Sequence, residues 1–204
     1  MTDSQQALER LREGNRRFVN HLRSAEVLIS QLRRGELVKG QKPFAIVLGC
    51  SDSRVPAEIV FDQGLGDLFV IRVAGNIVAP SQIGSVEFAA EALGPRLVVV
   101  MGHTLCSAID ATLEAIEKPS APRSPNLLSI VDRIRPSIEG LVHTELAEDR
   151  QRLMQAAVRA NVRASVSHLK HGSRILERMV LEDGLRVVGA EYSLETGEVD
   201  FFDL

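Results

Sequence analysis

Tryptophan is absent from this sequence and tyrosine occurs once. Recognition by rows of stacked aromatic rings, the usual device for single-stranded nucleic acid, therefore has little to work with. An excess of basic charge is lacking as well: 24 Lys and Arg stand against 27 Asp and Glu, a formal net charge of −3. That balance gives no electrostatic footprint for nucleic acid, and the pairs Arg16-Arg17 and Arg33-Arg34 read as solvated helix faces. No apolar run approaches the ~20 residues that cross a bilayer, so no membrane partner is expected. The opening MTDSQQALERLREGNRRF has neither the apolar core nor the cleavage site of a signal peptide, and the expected location is cytoplasmic. Cysteine occurs only twice in 204 residues, which argues against a disulfide framework and leaves at most one bridge.

What is present is the composition of a folded globular chain, 45% hydrophobic and 25% charged. No linker or internal repeat divides it, so one domain over 1–204 is expected, with an N-terminal helical arm at about 1–38. Within that arm, residues 4–21 carry Ala7, Leu8, Leu11, Phe18 and Val19 at helical spacing. A second helix is expected over about 25–34. The apolar stripe of the first could pack on its own domain or on a partner subunit, and the spacing does not choose.

The pattern then changes. Phe44–Leu48, Leu68–Ile71 and Leu97–Met101 are short apolar runs, rich in β-branched residues and bounded by turn residues. Runs apolar on both faces suit buried parallel strands. Ser81–Leu93 lies between the last two, with Ser81 as expected N-cap and Gly94-Pro95 as a stop. Further helices are expected over 125–137, from Thr144 through Leu169, and over about 173–183. Leu185–Ala190 reads as a fourth buried strand and Glu198–Asp203 as an edge strand. In such strand–helix–strand units, ligands gather beyond the carboxyl ends of the strands. Cys50 and His103 both fall there.

Cys50 opens the stretch Cys50-Ser51-Asp52-Ser53-Arg54, and His103 opens His103-Thr104-Leu105-Cys106. Two thiolates and an imidazole suit zinc. If a helix begins at His103, His103 and Cys106 share a face and can grip one ion, with Cys50 as a third ligand from the neighbouring strand end. Three protein ligands leave a fourth tetrahedral position, the mark of a catalytic zinc. The competing reading is two buried free cysteines and an incidental histidine. Asp52 could be a fourth ligand or a base beside the metal. A bidentate pair with Arg54 would hold it off the metal and keep it ionised.

C-x-D-x-R followed by G-H-x-x-C resembles the β-class carbonic anhydrases. The resemblance extends over nearly the whole chain. It takes in Ala7–Phe18, Val55–Asn76, the G-S-V-E-F stretch at Gly84–Phe88, and A-x-Y-S-L-E-T-G at Ala190–Gly197. It implies an α/β fold with a mainly parallel central sheet, flanking helices and an antiparallel edge strand. It implies Zn2+ held by Cys50, His103 and Cys106, with Asp52 and Arg54 as a catalytic dyad. The implied reaction is reversible hydration of CO2 to bicarbonate by attack of zinc-bound hydroxide, since zinc lowers the pKa of water from 15.7 toward ~7. The implied assembly is a homodimer or a higher even homo-oligomer.

By the same resemblance, Gln41 matches a residue that helps orient substrate, often from across the dimer interface, and Phe69, Ala74 and Gly75 fall where relatives line a small apolar pocket. For Phe69 core packing is an equal reading. Arg72 and Tyr192 occupy two places of a regulatory bicarbonate site found in some relatives, but Val47 stands where that site has Trp, so no such site is expected. Ser107 replaces the glycine that usually follows the second cysteine, and reduced but real activity is expected from it. The alternatives are a hydrolase of CS2 or COS on the same fold and a zinc-containing, non-catalytic binding or assembly protein. A nucleotide-binding domain is disfavoured, because no glycine-rich phosphate loop follows the first strand.

Overall fold

The computed structural model describes residues 3–25, 27, 34–119 and 124–203. In chain order the elements are α1 (Ser4–Val19), α2 (Arg34–Leu37), β1 (Ala45–Gly49), α3 (Ala57–Val60), β2 (Leu68–Arg72), α4 (Pro80–Phe88), β3 (Leu97–His103), α5 (Ser107–Glu117), α6 (Pro125–Ile138), α7 (Arg150–His171), α8 (Arg174–Glu182), β4 (Arg186–Tyr192) and β5 (Val199–Phe202). The helix expected over 25–34 lies mostly outside the described residues.

The five strands form one sheet in the order β2-β1-β3-β4-β5. The first four are mutually parallel, and β5 runs antiparallel to β4. Alternation along each strand divides the apolar side chains between two faces. Val47, Val99 and Met101 point toward α1 and α3, where they meet Ala7, Leu8, Leu11 and Phe61. Ile46, Leu48, Val98 and Val100 point the other way, toward α7 and α8, where they meet Val162, Leu169 and Leu176. β1 and β3 are covered on both faces and buried throughout. β2 departs from the sequence expectation: it has only β1 beside it, so Phe69 and Val70 are half-buried and Arg72 is exposed.

The apolar stripe of α1 packs on the chain's own sheet. Four residues of the G-N-R-R-F stretch account for how it does so. Gly14 lets the α1 backbone meet the α3 turn, since a Cβ there would stand 1.8 Å from the Phe61 carbonyl oxygen. Asn15 donates to the carbonyls of Val60 and Gly197 at 3.2 and 2.8 Å and accepts from the Val199 N–H at 2.9 Å. Arg17 pairs with the buried Asp62 at 2.6 Å. Phe18 lies 6.4 Å from the ring of Tyr192.

Three helix starts fall elsewhere than their spacing predicts. Ala79, not Ser81, is the N-cap of α4, because Pro80 takes the first helical turn, where its missing N–H costs nothing. The Thr144 hydroxyl accepts from the Leu146 N–H and caps only a short 3-10 turn. The long helix begins six residues later, where the Asp149 carboxylate accepts from the N–H groups of Gln151 and Arg152. Cys106 is the N-cap of α5, so His103 and Cys106 do not share a helix face. Gly94 ends the α4 region in the left-handed conformation (φ 85°), as its position predicts.

Gly14→Ala tests the α1 contact. The added Cβ meets backbone, which cannot swing aside, so a loss of about 1–3 kcal/mol is expected in urea unfolding. An unchanged midpoint would show that α1 docks differently.

Candidate metal centre

β1 and β3 are hydrogen-bonded neighbours and parallel, so their carboxyl ends lie side by side. Cys50 follows β1 directly and His103 is the last residue of β3. Between His103 and Cys106 the chain turns through Leu105, which holds a left-handed φ of 56°. That conformation is costly for a branched side chain, and it folds the turn back so that Cys106 faces His103. The Thr104 N–H donates to the Tyr192 carbonyl at 3.0 Å, and the Thr104 hydroxyl accepts from the Leu194 N–H at 3.0 Å, so β4 holds the turn. The ligand atoms of Cys50, His103 and Cys106 all lie within 4.8 Å of one another.

The donor set fits zinc. His103 is 0% exposed, and its Nδ1 lies 2.9 Å from the Thr104 carbonyl oxygen. A carbonyl only accepts, so Nδ1 carries the proton and Nε2 presents its lone pair. That Nε2 is buried and has no hydrogen-bond partner. A buried acceptor left unpaired costs about 1–3 kcal/mol, and a cation bound here removes the deficit.

The thiols point to the same chemistry. The Cys106 S–H donates to Cys50 and, with the Gly75 N–H, pulls the Cys50 thiol well below its usual range despite its burial. The shared proton and burial push Cys106 up. Backbone N–H groups of Ala108 and Ile109, at the start of α5, favour the second thiolate.

Asp52 stands beside this cluster and outside it. Its Oδ2 is 3.9 Å from His103 Nε2. Arg54 grips both carboxylate oxygens, Nε to Oδ1 at 2.9 Å and Nη2 to Oδ2 at 2.7 Å, while its backbone N–H reaches Oδ1 at 3.0 Å. The Arg54 side chain is first among the causes that hold Asp52 well below the usual carboxylate range, against the opposing effect of burial. Arg54 also reaches the Leu105 carbonyl at 3.4 Å, joining the two strand-end loops.

The expected pocket residues separate. Gly75 touches the ligand cluster itself: its N–H donates to Cys50 Sγ at 3.4 Å. Its φ is 67°, and a Cβ would come within 2.8 Å of Ile134, so only glycine fits. Ala74 is half-buried in the same 3-10 turn. Phe69 is half-buried on β2 with its ring 6.3 Å from that of Phe88. Gln41 is exposed on the segment before β1. Ser107 is exposed in the first turn of α5 with no left-handed backbone angle, so nothing in the local backbone calls for glycine.

Three residues near the centre escape the motif reading. Arg72 donates to the carbonyls of Cys50 and Asp52 at 3.0 and 2.6 Å, pinning the loop that carries ligand and carboxylate. Asn161 donates to the Gly75 carbonyl at 2.8 Å and Ser165 to the Asn76 carbonyl at 3.1 Å. The signal for the last two was present: Asn161 and Ser165 sit four apart among the apolar side chains of α7, and buried polar groups need partners.

Fold and site together define an α/β protein with a Cys-His-Cys centre at two parallel strand ends, beside a carboxylate–guanidinium pair. The chain belongs to the carbonic anhydrase family, in its β class: a family model described as carbonic anhydrase matches residues 45–199. It is 37% identical over 196 residues to carbonic anhydrase 2 of Mycobacterium tuberculosis H37Rv, covering 94% of this chain and 89% of that protein. It is also 37% identical over 196 residues to a carbonic anhydrase of Mycolicibacterium smegmatis, covering 95% and 91%. Among solved structures, the β-carbonic anhydrase CcaA superposes with TM-score 0.74 at 27% identity, covering 96% of this chain and 95% of that one. A tetrameric β-carbonic anhydrase of Sordaria macrospora gives TM-score 0.74 at 25% identity over 84% and 86%. Among the described residues no helix is long and apolar enough to cross a membrane.

Two outcomes are expected. Arg54→Gln removes the main cause of the Asp52 depression, so the Asp52 titration, followed by carboxyl NMR, moves up toward the ordinary ~3.9. The sign follows: a depressed carboxyl stabilises the fold above its unfolded pKa, and that stabilisation is lost as pH falls through the folded one. In the variant the folded and unfolded values nearly coincide, so this contribution largely disappears and stability depends less on pH below ~3.9. Ser107→Gly is expected to leave zinc content and kcat/KM within about twofold of wild type, because the side chain is exposed and the backbone already helical. A gain of tenfold or more in either quantity would show that Ser107 obstructs the site.

Proposed function

We propose that this chain hydrates CO2 reversibly to bicarbonate at a zinc ion held by Cys50 Sγ, His103 Nε2 and Cys106 Sγ. The observation that carries this is the buried, unpartnered Nε2 of His103 among two thiols, next to a carboxylate that Arg54 keeps ionised. Zinc, when bound, supplies a Lewis acid that brings the ionisation of water close to neutral pH.

Each remaining role falls to a residue of this chain. Arg54 fixes Asp52 by both oxygens, which keeps the carboxylate off the fourth metal position and leaves Oδ2 able to accept a hydrogen bond from whatever occupies it. Asp52, ionised across the working range, orients the attacking oxygen and is not itself the group that titrates near neutrality. Ala74 and Gly75, in the turn beside Cys50, offer a small apolar surface suited to an uncharged linear substrate. The Gln41 amide, exposed before the amino end of β1, can donate to a substrate oxygen only across a subunit interface. The proton released must pass to solvent or buffer. That the relatives named above are carbonic anhydrases favours CO2 over CS2 or COS as substrate.

The chain acts as one domain in the cytoplasm, as a homodimer or higher even homo-oligomer. Supporting this assembly, Leu65 and Phe88 are 51% and 56% exposed and Phe69 lies half-buried on the edge strand β2. That is apolar surface of the kind a second copy would cover.

Stopped-flow CO2 hydration on protein of measured zinc content tests the reading. One zinc per chain and measurable hydration are expected, with Asp52→Asn lowering kcat/KM by about 10–100-fold while zinc is retained. A fully zinc-loaded wild-type chain that does not hydrate CO2 would favour a non-catalytic zinc protein instead.

A further inference from the structure

We propose that Asn161, on α7, is a positioning residue for the metal ligand Cys50, acting through Gly75. The inference rests on the zinc site proposed above. Gly75 is the one residue of the 74–76 turn whose N–H reaches a ligand atom, at 3.4 Å from Cys50 Sγ. Glycine has the widest conformational freedom of any residue, so its own sterics do not hold that N–H in place. The restraint comes from across the core: Asn161 Nδ2 donates to the Gly75 carbonyl oxygen at 2.8 Å, a fully buried hydrogen bond.

The surroundings make this bond hard to replace. Asn161 is 2% exposed, and Val158 and Val162 beside it on α7 are buried as well. Ser165, one helical turn on, holds the next carbonyl, that of Asn76, at 3.1 Å. Two consecutive carbonyls of the turn are therefore fixed by one face of a long helix that packs on the sheet. Ile134 and Ala108 close the remaining side, where a Cβ on Gly75 would meet them at 2.8 and 3.1 Å. Within this cage the Gly75 N–H is aimed at the Cys50 sulfur. An N–H donated to a ligating thiolate spreads its charge and fixes its orientation, which is how groups behind a metal's ligands tune affinity.

The test measures zinc retention, not catalysis. Zinc-loaded wild type, Asn161→Ala and Asn161→Leu are mixed with excess of a chromophoric chelator, and zinc release is timed. Asn15→Ala serves as the control, since Asn15 is also a buried asparagine with several backbone partners, at the contact of α1 with β5. The Asn161 variants are expected to release zinc at least about tenfold faster than wild type. Asn15→Ala is expected to lose thermal stability yet release zinc at the wild-type rate. Equal acceleration in all three variants, or none in the Asn161 pair, would overturn the proposal and leave Asn161 a structural residue. Independently of any variant, the Gly75 amide proton in a cadmium-substituted wild-type chain should show coupling to the metal through the sulfur. Its absence would equally overturn the proposal. Zinc-loaded wild type that fails to hydrate CO2 counts against the enzyme reading alone, because none of these readouts uses turnover.

Discussion

His103 carries an sp2 nitrogen that is buried, unprotonated and without a partner, and the rest of the centre is arranged around that deficit. The tautomer is set by a carbonyl only one residue away, which occupies Nδ1 and turns Nε2 inward. Two thiols face it and share a hydrogen bond that draws the Cys50 thiol down and pushes Cys106 up. A divalent cation satisfies all three groups at once. His103 Nε2 and the two sulfurs would hold it, with the thiol proton lost to solvent. The sheet makes this convergence possible, because parallel neighbours bring the ends of β1 and β3 together. The helices on both faces make it dry.

The dyad depends on the same convergence. Asp52 sits two residues past the first ligand, on the loop that Arg72 pins through the carbonyls of Cys50 and Asp52. Arg54 completes a bridge from this loop to the turn at Leu105. The carboxylate is therefore placed by five arginine side-chain hydrogen bonds, three to backbone carbonyls and two to its own oxygens, not by the metal. That separates two jobs that a carboxylate near zinc could confuse, ligating the ion and orienting what binds to it. The 3.9 Å between Asp52 Oδ2 and His103 Nε2 matches the second job.

Much of this was legible before any coordinates. Continuous apolar runs predict the parallel strands well, because burial on both faces leaves a plain mark in composition. Strand ends followed by Cys and His mark the site for the same reason. The failures are equally physical. Spacing suggested that His103 and Cys106 share a helix face, but a left-handed Leu105 places Cys106 at the cap, and nothing in a branched residue announces that angle. β2 reads as buried because its composition matches β1, yet strand order, which spacing does not encode, puts it at an edge. Asn161 was hidden differently. A lone polar residue on an apolar helix face shows that a buried partner exists, and only tertiary structure shows that the partner is the carbonyl behind Cys50.

The charge count of the proposed centre bears on its substrate. Zinc with two thiolates and a neutral imidazole sums to zero, and Asp52 with Arg54 sums to zero again. A site neutral in both parts holds no strong field for an anion, so an uncharged molecule such as CO2 can enter without displacing a tightly held ion, and bicarbonate gains no large Coulomb attraction that would keep it. Replacing one thiolate by imidazole would leave a net positive centre, more acidic toward water but more retentive of the anionic product. The two-thiolate set would thus trade some acidity for easy release, with Asp52 as the group proposed to orient what the metal binds. The Arg54 clamp makes that role tenable, since it keeps the carboxylate ionised against its partial burial.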